Sequence, residues 1–506
     1  MKGMPRDVHA EPVLATTRIQ GDVLVGLLKK NELLLFFSID SPADFVGFLK
    51  GLPLTSAQTV LEQRAEVAER RSRGVTALIP APGLNVAFTA AGLAKLGVAG
   101  LAGVPGLEEF VAGMAARQAV LDDPDPAHWR SVGPQHPADG VFVLTGASRA
   151  EIDDTIALHL APPDEHGWSV VREEVGTVRP DPVHGHEHFG YADGVSQPGV
   201  RGTTPDGDII TPSVDRDDHP DQGNLGQDLL WPGEFVFGYP GQDPQLGDPS
   251  PDFARPGALV APPVPFMADG AFMVFRRLAQ RVPEFDASVR ALARSTSGAD
   301  AVSPELLGAQ MVGRWKSGAP VELSPVKDDL SLAEGTPREN DFEFGDDREG
   351  VRCPWAAHVR KAYPRDDVRH DTTPTELEVA HAEAFTQTHR MMRRGITFGP
   401  ELSHAEALSG RTTQQRGLLF KCYVTSIAEQ FEFVQQAWVD APDFVQPGSG
   451  LDPIIGQPST GTHSFLGAAP FSEDPTNKPA LSVAHFVTMQ GGDYFFAPSL
   501  DAIQSL

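Results

Sequence analysis

The sequence predicts an α+β protein built from two related units that pack face to face. Short apolar runs typical of buried strands alternate with segments of helical spacing, and this alternation occurs twice, before and after a segment rich in Gly, Pro and Asp at about 201–265. The chain of 506 residues is also longer than one simple core requires. We place the boundary inside the loop-rich segment, so that the predicted domains span 1–225 and 226–506.

Strands and helices are intermixed in the first half. An apolar run at 32–39 predicts a strand buried on both faces. Ser41, followed by Pro and by apolar residues at helical spacing, predicts the start of a helix. The same strand-then-helix order recurs at 85–93 and at 140–160. The first half is therefore predicted to be an α+β unit.

The second half resumes this order after the loop-rich segment. The predicted elements are strands at 270–275 and 418–424, and helices that begin at Val282, span 376–392 and pass through Phe431. Inside the loop-rich segment, residues 234–238 are the one clear predicted strand. Because strands and helices alternate in a similar way in both halves, we expect two related units rather than one long irregular domain.

The net charge of the chain limits the kinds of molecule that it is expected to bind. The formal charge of −27 and the pI of about 4.9 mean that the surface repels phosphate backbones and anionic lipid. We therefore expect no nucleic-acid partner and no membrane partner. Small neutral or cationic molecules are the expected ligands.

The two cysteines, Cys353 and Cys422, form no C-x-x-C pattern. This disfavours a cysteine-based zinc site, covalent haem attachment and a disulfide framework. In residues 1–30, Asp7, Glu11 and Asp22 interrupt the apolar stretch that a signal peptide needs after its basic start, and no apolar run has the length of a membrane span. We expect a cytoplasmic protein, with non-classical export left open, and the sequence leaves open whether it is a monomer or a homodimer.

The first chemical motif is Gly190-Tyr-Ala-Asp-Gly194, which contains Asp193. Asp-Gly alone is typical of a tight turn. The histidines just before it, His184, His186 and His188, are by themselves typical of a surface loop. Alone, this motif decides no function.

The second motif runs from Arg352 to Arg365 and places His358 among small apolar residues and cations. The simpler interpretation is a satisfied core histidine at the start of a helix. The functional interpretation is an imidazole that presents one nitrogen to iron while an acceptor holds the other. Nearby arginines would then pair with haem propionates.

The third motif is Arg393-Arg394-Gly395, at the end of a predicted helix. Cations followed by glycine are an ordinary helix C-terminus, because the macrodipole favours positive charge there and glycine allows a left-handed turn. This motif also decides nothing alone.

Together, in this order and with this spacing, the three motifs resemble those of the dye-decolorizing peroxidase family. The G-x-x-D-G of the family appears as Gly190–Gly194, its A-x-H-[I/V]-R-K-x-x-P-R as Ala356–Arg365, and its R-R-G as Arg393–Gly395. Further segments similar to the longer, fungal-like branch are Ile19–Leu24, Asp269–Leu278, Arg416–Phe420, Gly450–Gly456 and Gly491–Ser499. One departure is Tyr363, where the family more often has asparagine.

This resemblance implies two ferredoxin-like domains of the dimeric α+β barrel type, with haem b held mainly by the C-terminal one. It also implies a peroxidase that reduces hydrogen peroxide and oxidises bulky dyes, phenols and other aromatic donors by one-electron steps.

Roles follow for the matching positions. Asp193 is expected to act on peroxide as a base and then as an acid. Arg393 is expected to stabilise charge on the departing oxygen, with Arg394 as the alternative if the helix register differs by one. His358 is the expected proximal ligand of the haem iron, and Asp452 the acceptor for its other nitrogen.

Four more residues are expected around the haem. Arg360 and Arg365 would bind its propionates, and Leu418 and Phe420 would line the distal side, where they shape peroxide access. The reference pKa of an aspartate is roughly 3.9 and that of a histidine roughly 6.5, so an aspartate base predicts an acidic optimum.

Bulky donors need a route for electrons from the surface to the haem. Trp438 matches a radical site of related enzymes, and Tyr423 is a second candidate, so we expect a surface electron relay at one of these residues.

Three other functions stay open at this point. One is a haem-binding protein without turnover, and another is a haem enzyme that acts on an oxyanion or on the porphyrin itself; the pair of Asp193 and Arg393 disfavours both. In the third, Mn²⁺ is the electron donor. The acidic pairs Asp346-Asp347 and Asp366-Asp367 could bind it, although such pairs are usually solvated loops.

Overall fold

A computed structural model describes residues 11–212, 223, 226–245, 248, 255–295, 302–367, 376–457, 462–468 and 478–506. Its first half contains the predicted alternation of strands and helices. The strands are β1 (Asn31–Ile39), β2 (Gly83–Phe88), β3 (Gly140–Gly146) and β4 (Trp168–Thr177). The helices are α1 (Gly21–Leu24), α2 (Pro42–Lys50), α3 (Ala57–Ser72), α4 (Ala90–Lys95), α5 (Glu108–Ala112) and α6 (Arg149–His159).

Side-chain caps fix where several of these helices begin. Ser56, Thr89 and Ser148 each accept a hydrogen bond from the backbone N–H three residues further on, which satisfies a donor that the first helical turn leaves free. α2 begins at Pro42, and proline is favoured at the first helical position. These helix starts are therefore set by the local sequence.

The strands of the first half form a ferredoxin-like unit. β1 lies between β3 and β4, β2 pairs with β3, and every pairing is antiparallel. The resulting order β4-β1-β3-β2, with helices between the strands, is that of a βαββαβ unit. The predicted α+β character of this half is confirmed.

Short strands connect the two halves, and one prediction here is wrong. The strands are β5 (Gly199–Val200), β6 (Leu229–Leu230), β7 (Pro240–Gln242) and β8 (Pro256–Leu259). Residues 234–238 were predicted to be a strand. Instead Pro232–Glu234 is a 3-10 turn, and the N–H groups of Phe235 and Val236 both donate to Pro232 O at 2.9 Å. These apolar side chains are buried inside a turn, so apolar content alone does not identify a strand here.

The second half repeats the alternation with longer connections. Its strands are β9 (Ala271–Gln280), β10 (Met392–Arg393), β11 (Ile396–Phe398), β12 (Gly417–Val424), β13 (Thr462–Leu466), β14 (Ala480–Ala484) and β15 (Val487–Ala497). Its helices are α7 (Val282–Ser295), α8 (Pro304–Val312), α9 (His358–Ala362), α10 (Glu376–Gln387), α11 (His404–Ser409) and α12 (Leu500–Ser505), with π-helical turns at Ile427–Glu432 and Val434–Val439.

The predicted helix at 376–392 is too long. α10 ends at Gln387, and the chain then turns so that Met392 and Arg393 pair with Tyr423 and Cys422 of β12. The Arg-Arg-Gly motif therefore begins at the last residue of β10 and continues into the link to β11, and it is not the end of a helix. Strand pairing across the sheet, which local spacing does not report, decides this boundary.

The two units form one closed sheet. The order β15-β9-β12-β10 repeats the order of the first unit, with β11 also paired to β12. The units join where β15 pairs with β2 at Phe496 and Phe88. At the opposite ends of the sheet, Thr397 Oγ1 of β11 donates to Thr177 O of β4 at 2.6 Å. The nine-stranded sheet therefore closes as an α+β barrel, and the predicted fold class is confirmed.

β1 is buried on both faces, as predicted. Leu33 and Leu35 pack into the helix layer around the barrel, whereas Leu34 and Phe36 point into its interior. There the ring of Phe36 lies 5.1 Å from that of Phe275, which comes from the second half. The barrel interior is thus one core shared by both halves.

The predicted domain boundary stays a prediction. It falls between 225 and 226, at the edge of a segment that lies outside the described residues. Among the residues that are described, no helix is both long and apolar enough to cross a membrane.

Candidate active site

Two pockets of about 200 and 390 Å³ share part of their lining, and we treat them as the smaller and larger chambers of one cavity. Asp193, His358, Arg393 and Leu418 line both chambers. The structure therefore brings together four of the residues that the sequence predicts for one site.

His358 is the first residue of α9, and a carboxylate holds its ring. Its Nδ1 lies 2.7 Å from Asp452 Oδ2, and the Asp452 side chain is completely buried. The other carboxylate oxygen accepts hydrogen bonds from the N–H groups of Ile454 (2.7 Å) and Ile455 (3.1 Å). The predicted acceptor for His358 is thus in contact with it, and its own position is fixed by backbone donors.

This pairing also determines the electrostatics of the imidazole. Burial disfavours its charged form, but the charge and the hydrogen bond of Asp452 outweigh burial and raise the pKa of His358 above its ordinary value. In the described part of the chain, no other group hydrogen-bonds to the ring, so Nε2 is free to bind a ligand in the cavity.

Asp193 lies on a loop shaped by glycines. Gly190 and Gly194 have φ values of +94° and +81°, a region that favours glycine. The N–H of Asp193 donates to Gly185 O at 3.0 Å, and the N–H of Gly194 donates to Asp193 Oδ1 at 2.7 Å. The tight turn expected from Asp-Gly is present, and it presents the carboxylate to the cavity.

Glu187 anchors this loop, and sequence reasoning missed it. Its carboxylate accepts hydrogen bonds from the N–H groups of Phe189 (2.8 Å) and Tyr191 (2.9 Å), and from Gln280 Nε2 (2.5 Å). Burial raises the pKa of Glu187, and the backbone and Gln280 hydrogen bonds oppose that rise. One buried carboxylate therefore ties the Asp193 loop to β9.

The side chains of Arg393, the last residue of β10, and Arg394, the residue after it, have different surroundings. Burial lowers the pKa of Arg393, while the charge of Asp193 opposes that change. Arg394 instead donates to Asp22 O and Leu24 O, at 2.9 Å each, and does not line the described cavity. Of the two candidates, only Arg393 shares the cavity with Asp193.

β12 supplies the apolar wall. Leu418 and Phe420 alternate with residues of the barrel interior, so both side chains face the cavity, as predicted. Lys421, on the opposite face, is buried between Asp22 Oδ2 (2.6 Å) and Glu32 Oε2 (3.1 Å). The same strand thus separates the apolar cavity wall from a buried ionic cluster.

A group of arginines lines the smaller chamber: Arg314, Arg365 and Arg390. Arg365 donates to Phe342 O at 2.9 Å. The buried guanidinium of Arg314 has neutral acceptors, including Asn340 Oδ1 at 2.6 Å and Gly318 O at 2.8 Å. Burial lowers the pKa of Arg314 to about 9, helped by the charge of Arg365. This wall is positive, and sequence reasoning had identified only Arg365 in it.

Arg360 is not brought to this cavity. Its completely buried guanidinium donates to Asp367 Oδ2 at 2.6 Å and to Cys353 O at 2.8 Å. Its guanidinium therefore belongs to a buried ion pair, and Arg360 is not among the residues that line the cavity.

The same ion pairs bear on the Mn²⁺ hypothesis. Asp347, Asp366 and Asp367 are buried, and they accept hydrogen bonds from Arg360 and from backbone N–H groups. These three are therefore neither solvated nor free ligands, whereas Asp346, the fourth residue of the two acidic pairs, is exposed. No cluster of three or more His, Cys, Asp or Glu side chains suited to a metal ion occurs within the described ranges.

The predicted surface relay is wrong in one respect, because both of its residues are buried. Trp438 is 3% exposed and its ring packs against His389 (5.2 Å between centroids) and Phe444 (5.6 Å). Tyr423 is 1% exposed and donates to Asp22 Oδ2 inside the barrel at 2.9 Å. Trp438 is buried because it lies on an apolar helical turn, and Tyr423 is buried because its strand position points into the barrel. Residue type alone does not reveal this burial.

Tyr363, the departure from the family motif, lines the smaller chamber. Its hydroxyl donates to Asp228 Oδ2 at 2.9 Å, and the Arg390 guanidinium lies 3.8 Å above its ring. Arg390 also bonds to Asp228 Oδ2. The tyrosine thus belongs to a compact group of three residues beside the cavity.

The fold and the cavity define an α+β-barrel enzyme with a histidine and carboxylate pair and an aspartate and arginine pair in one pocket. Comparisons with known proteins agree. Residues 18–180 match the family of the DyP dimeric alpha+beta barrel domain. Dye-decolorizing peroxidase msp1 of Mycetinis scorodonius is 34% identical, over 97% of this chain and 88% of that protein.

Solved structures give the same result. An ancestral D-type dye-decolorizing peroxidase superposes with a TM-score of 0.78 at 33% identity, covering 98% of this chain and 99% of that one. A dye-decolorizing peroxidase in complex with 2,6-dimethoxyphenol superposes with a TM-score of 0.75 at 32% identity, covering 97% and 99%. The chain belongs to the dye-decolorizing peroxidase family and is a peroxidase.

Proposed function

We propose that this protein is a haem b peroxidase that reduces hydrogen peroxide and oxidises dyes, phenols and other small aromatic donors. The observation that carries the proposal is that His358, bonded to Asp452, and the pair of Asp193 and Arg393 line one cavity. A similar enzyme that binds 2,6-dimethoxyphenol supports phenols as donors.

The residues present fit haem in two ways. A neutral imidazole whose second nitrogen is held by a carboxylate is the usual axial ligand arrangement, and His358 with Asp452 has this chemistry. Arg314 carries a buried positive charge whose hydrogen-bond acceptors are all neutral. A propionate beside Arg314, Arg365 and Arg390 would supply the missing negative charge.

Bound haem would supply the iron that binds peroxide and stores the two oxidising equivalents. Asp193 would take the proton from the peroxide oxygen nearest the iron and return it to the departing oxygen. Arg393, a fixed cation in the same cavity, would stabilise the charge that develops on the departing oxygen. Leu418 and Phe420 would keep the site apolar and narrow.

We propose an acidic optimum for this reaction. The base must be deprotonated when peroxide arrives, and aspartate has a reference pKa of roughly 3.9, about 2.6 units below that of histidine. A carboxylate base therefore works at a pH at which an imidazole base is already protonated.

Haem titration followed by an assay tests the proposal. The purified chain should bind haem in about equal amounts, and the complex should oxidise 2,6-dimethoxyphenol only with peroxide. His358→Ala should lose the histidine-ligated spectrum and nearly all activity. His128→Ala, at a side chain 81% exposed, is the matched control and should behave as the wild type. A wild type that binds haem but leaves peroxide unchanged would indicate a haem-handling protein instead.

A further inference from the structure

The tyrosines of this chain share an unusual environment. None of the five is exposed, and four donate their hydroxyl to a carboxylate. The pairs are Tyr239 with Asp269 (2.7 Å), Tyr363 with Asp228 (2.9 Å), Tyr423 with Asp22 (2.9 Å) and Tyr494 with Glu432 (2.8 Å). Only Tyr191 and Tyr363 line the cavity in the described structure. Tyr363 alone combines a place in the cavity wall with a carboxylate partner.

We propose that Tyr363 is a redox-active residue that gives one electron to the peroxide-oxidised haem while its hydroxyl proton passes to Asp228. This inference rests on the proposed haem peroxidase function and adds a second site where one oxidising equivalent is held.

The step balances in protons and electrons. The O–H bond of Tyr363 breaks, its proton forms a bond to Asp228 Oδ2, and one electron reduces the haem by one equivalent. The products are a neutral tyrosyl radical and a protonated Asp228. A donor that later supplies one electron restores Tyr363, and the proton returns from Asp228.

The surroundings favour loss of the proton together with the electron. Burial raises the pKa of Tyr363 well above its ordinary value, and the charge of Asp228 adds to this, so the phenol is protonated at neutral pH. Electron loss alone would leave a radical cation 3.8 Å from the Arg390 guanidinium, and two positive charges in a buried site repel strongly. Transfer of the proton to Asp228 avoids this repulsion.

Asp228 is placed to receive the proton and to exchange it. Its carboxylate oxygen lies at hydrogen-bonding distance from the phenol, and Arg390 binds the same oxygen and holds it in place. Its side chain is 18% exposed, which gives the proton a route to solvent. The other cavity tyrosine, Tyr191, has no hydrogen-bond partner for its hydroxyl among the described residues.

This arrangement also determines what a donor must supply. Because the proton is kept on Asp228, a donor needs to supply only one electron to restore Tyr363, and the proton returns through the existing hydrogen bond. We therefore expect one-electron donors that reach the cavity, small phenols among them, to quench the Tyr363 radical.

Electron paramagnetic resonance tests the inference. The haem-loaded protein is mixed with peroxide without a donor, frozen within milliseconds, and compared with protein that contains ring-deuterated tyrosine. A signal that narrows on deuteration is expected in the wild type and in Tyr191→Phe, the matched cavity control. It should be lost in Tyr363→Phe. A wild type without a tyrosyl signal, or Tyr363→Phe with the full signal, would overturn the proposal.

Asp228→Asn gives a second test that leaves the phenol in place. The amide oxygen still accepts the hydrogen bond but is a very poor base, so the tyrosyl signal should fall severalfold while haem content stays the same. An unchanged signal would rule out Asp228 as the proton acceptor.

The haem absorption band distinguishes failure of the proposed function from failure of this inference alone. If peroxide leaves this band unchanged, the proposed function fails; if the band changes but no tyrosyl radical appears, only this inference fails.

Discussion

His358 and Asp193 reach the same cavity from different kinds of segment. His358 begins a short helix and is bonded to a carboxylate that is completely buried. Asp193 lies on a loop between two glycines with positive φ, and its side chain is exposed to the cavity. One wall thus holds its key side chain by a buried charge, and the other holds its key side chain by one backbone N–H of its own loop.

This difference matches what each residue must do. An iron ligand needs one fixed orientation, which a buried carboxylate enforces. A carboxylate that first takes and then returns a proton needs an oxygen that is available to the substrate. In Asp193, Oδ1 accepts a hydrogen bond from Gly194 N of the same loop, and Oδ2 is left for the peroxide. The two walls should therefore respond differently to substitution.

A large effect is expected at Arg393. Arg393→Leu should lower the rate of the peroxide reaction by about 10²–10³, the usual cost of losing one charge-stabilising donor, with haem content unchanged. Arg394→Leu is the matched control, because this neighbour bonds to α1 carbonyls instead. Stopped-flow absorbance measures both. Equal losses in the two variants would mean that Arg393 has no special place at the site.

The histidine wall is tested by Asp452→Asn. Loss of the charge behind His358 should weaken haem binding or activity by roughly 10–100-fold, as for other partners of metal-bound histidines. The effect should appear in the haem titration and in the ferric absorption spectrum. A variant with wild-type affinity and spectrum would contradict the role of Asp452.

The loop wall is tested by Glu187→Gln. One backbone donor loses its charged acceptor, which costs about 1.5 kcal/mol and corresponds to about tenfold in rate if the loop shifts. The peroxide reaction should slow while haem affinity stays at the wild-type value, the reverse of the pattern expected for Asp452→Asn. Loss of haem affinity in this variant would remove the distinction between the walls.

The smallest effect is expected at Trp438, which contacts His389 of the cavity lining. We retain an electron relay through Trp438 as a proposal, now as a buried one. Trp438→Phe should slow oxidation of bulky dyes by a few-fold and leave small phenols nearly unchanged in steady-state assays. Equal losses for both donors would indicate a packing role only.

The sequence contains much of this site but not all of it. Asp193, His358 and Arg393 could be predicted because each lies in a motif, and Asp452 because its segment resembles the family. Glu187 could not be ranked above other acidic residues, since its importance comes from contacts with Phe189 N, Tyr191 N and the side chain of Gln280. Contacts of this kind are set by the tertiary fold.

Two other misses have the same cause. Arg314 lies in no motif and reaches the cavity only because α8 packs next to α9, so no local signal marks it. The Arg-Arg-Gly motif was assigned to a helix end, although Arg393 pairs with β12 as part of a strand. The alternation of strands and helices, by contrast, follows from local spacing and caps, and this part of the fold was predicted correctly in most elements.

The most direct test of the account is the reaction of Asp193→Asn with peroxide, followed by stopped-flow absorbance of the haem-loaded protein at mildly acid pH. Asp153→Asn, a surface change on α6, is the control. We expect the haem band to change within milliseconds in the wild type and in the control, and about 10²–10⁴ times more slowly in Asp193→Asn at equal haem content. If Asp193→Asn reacts at the wild-type rate, Asp193 is not the base, and the proposed division between the two walls is wrong.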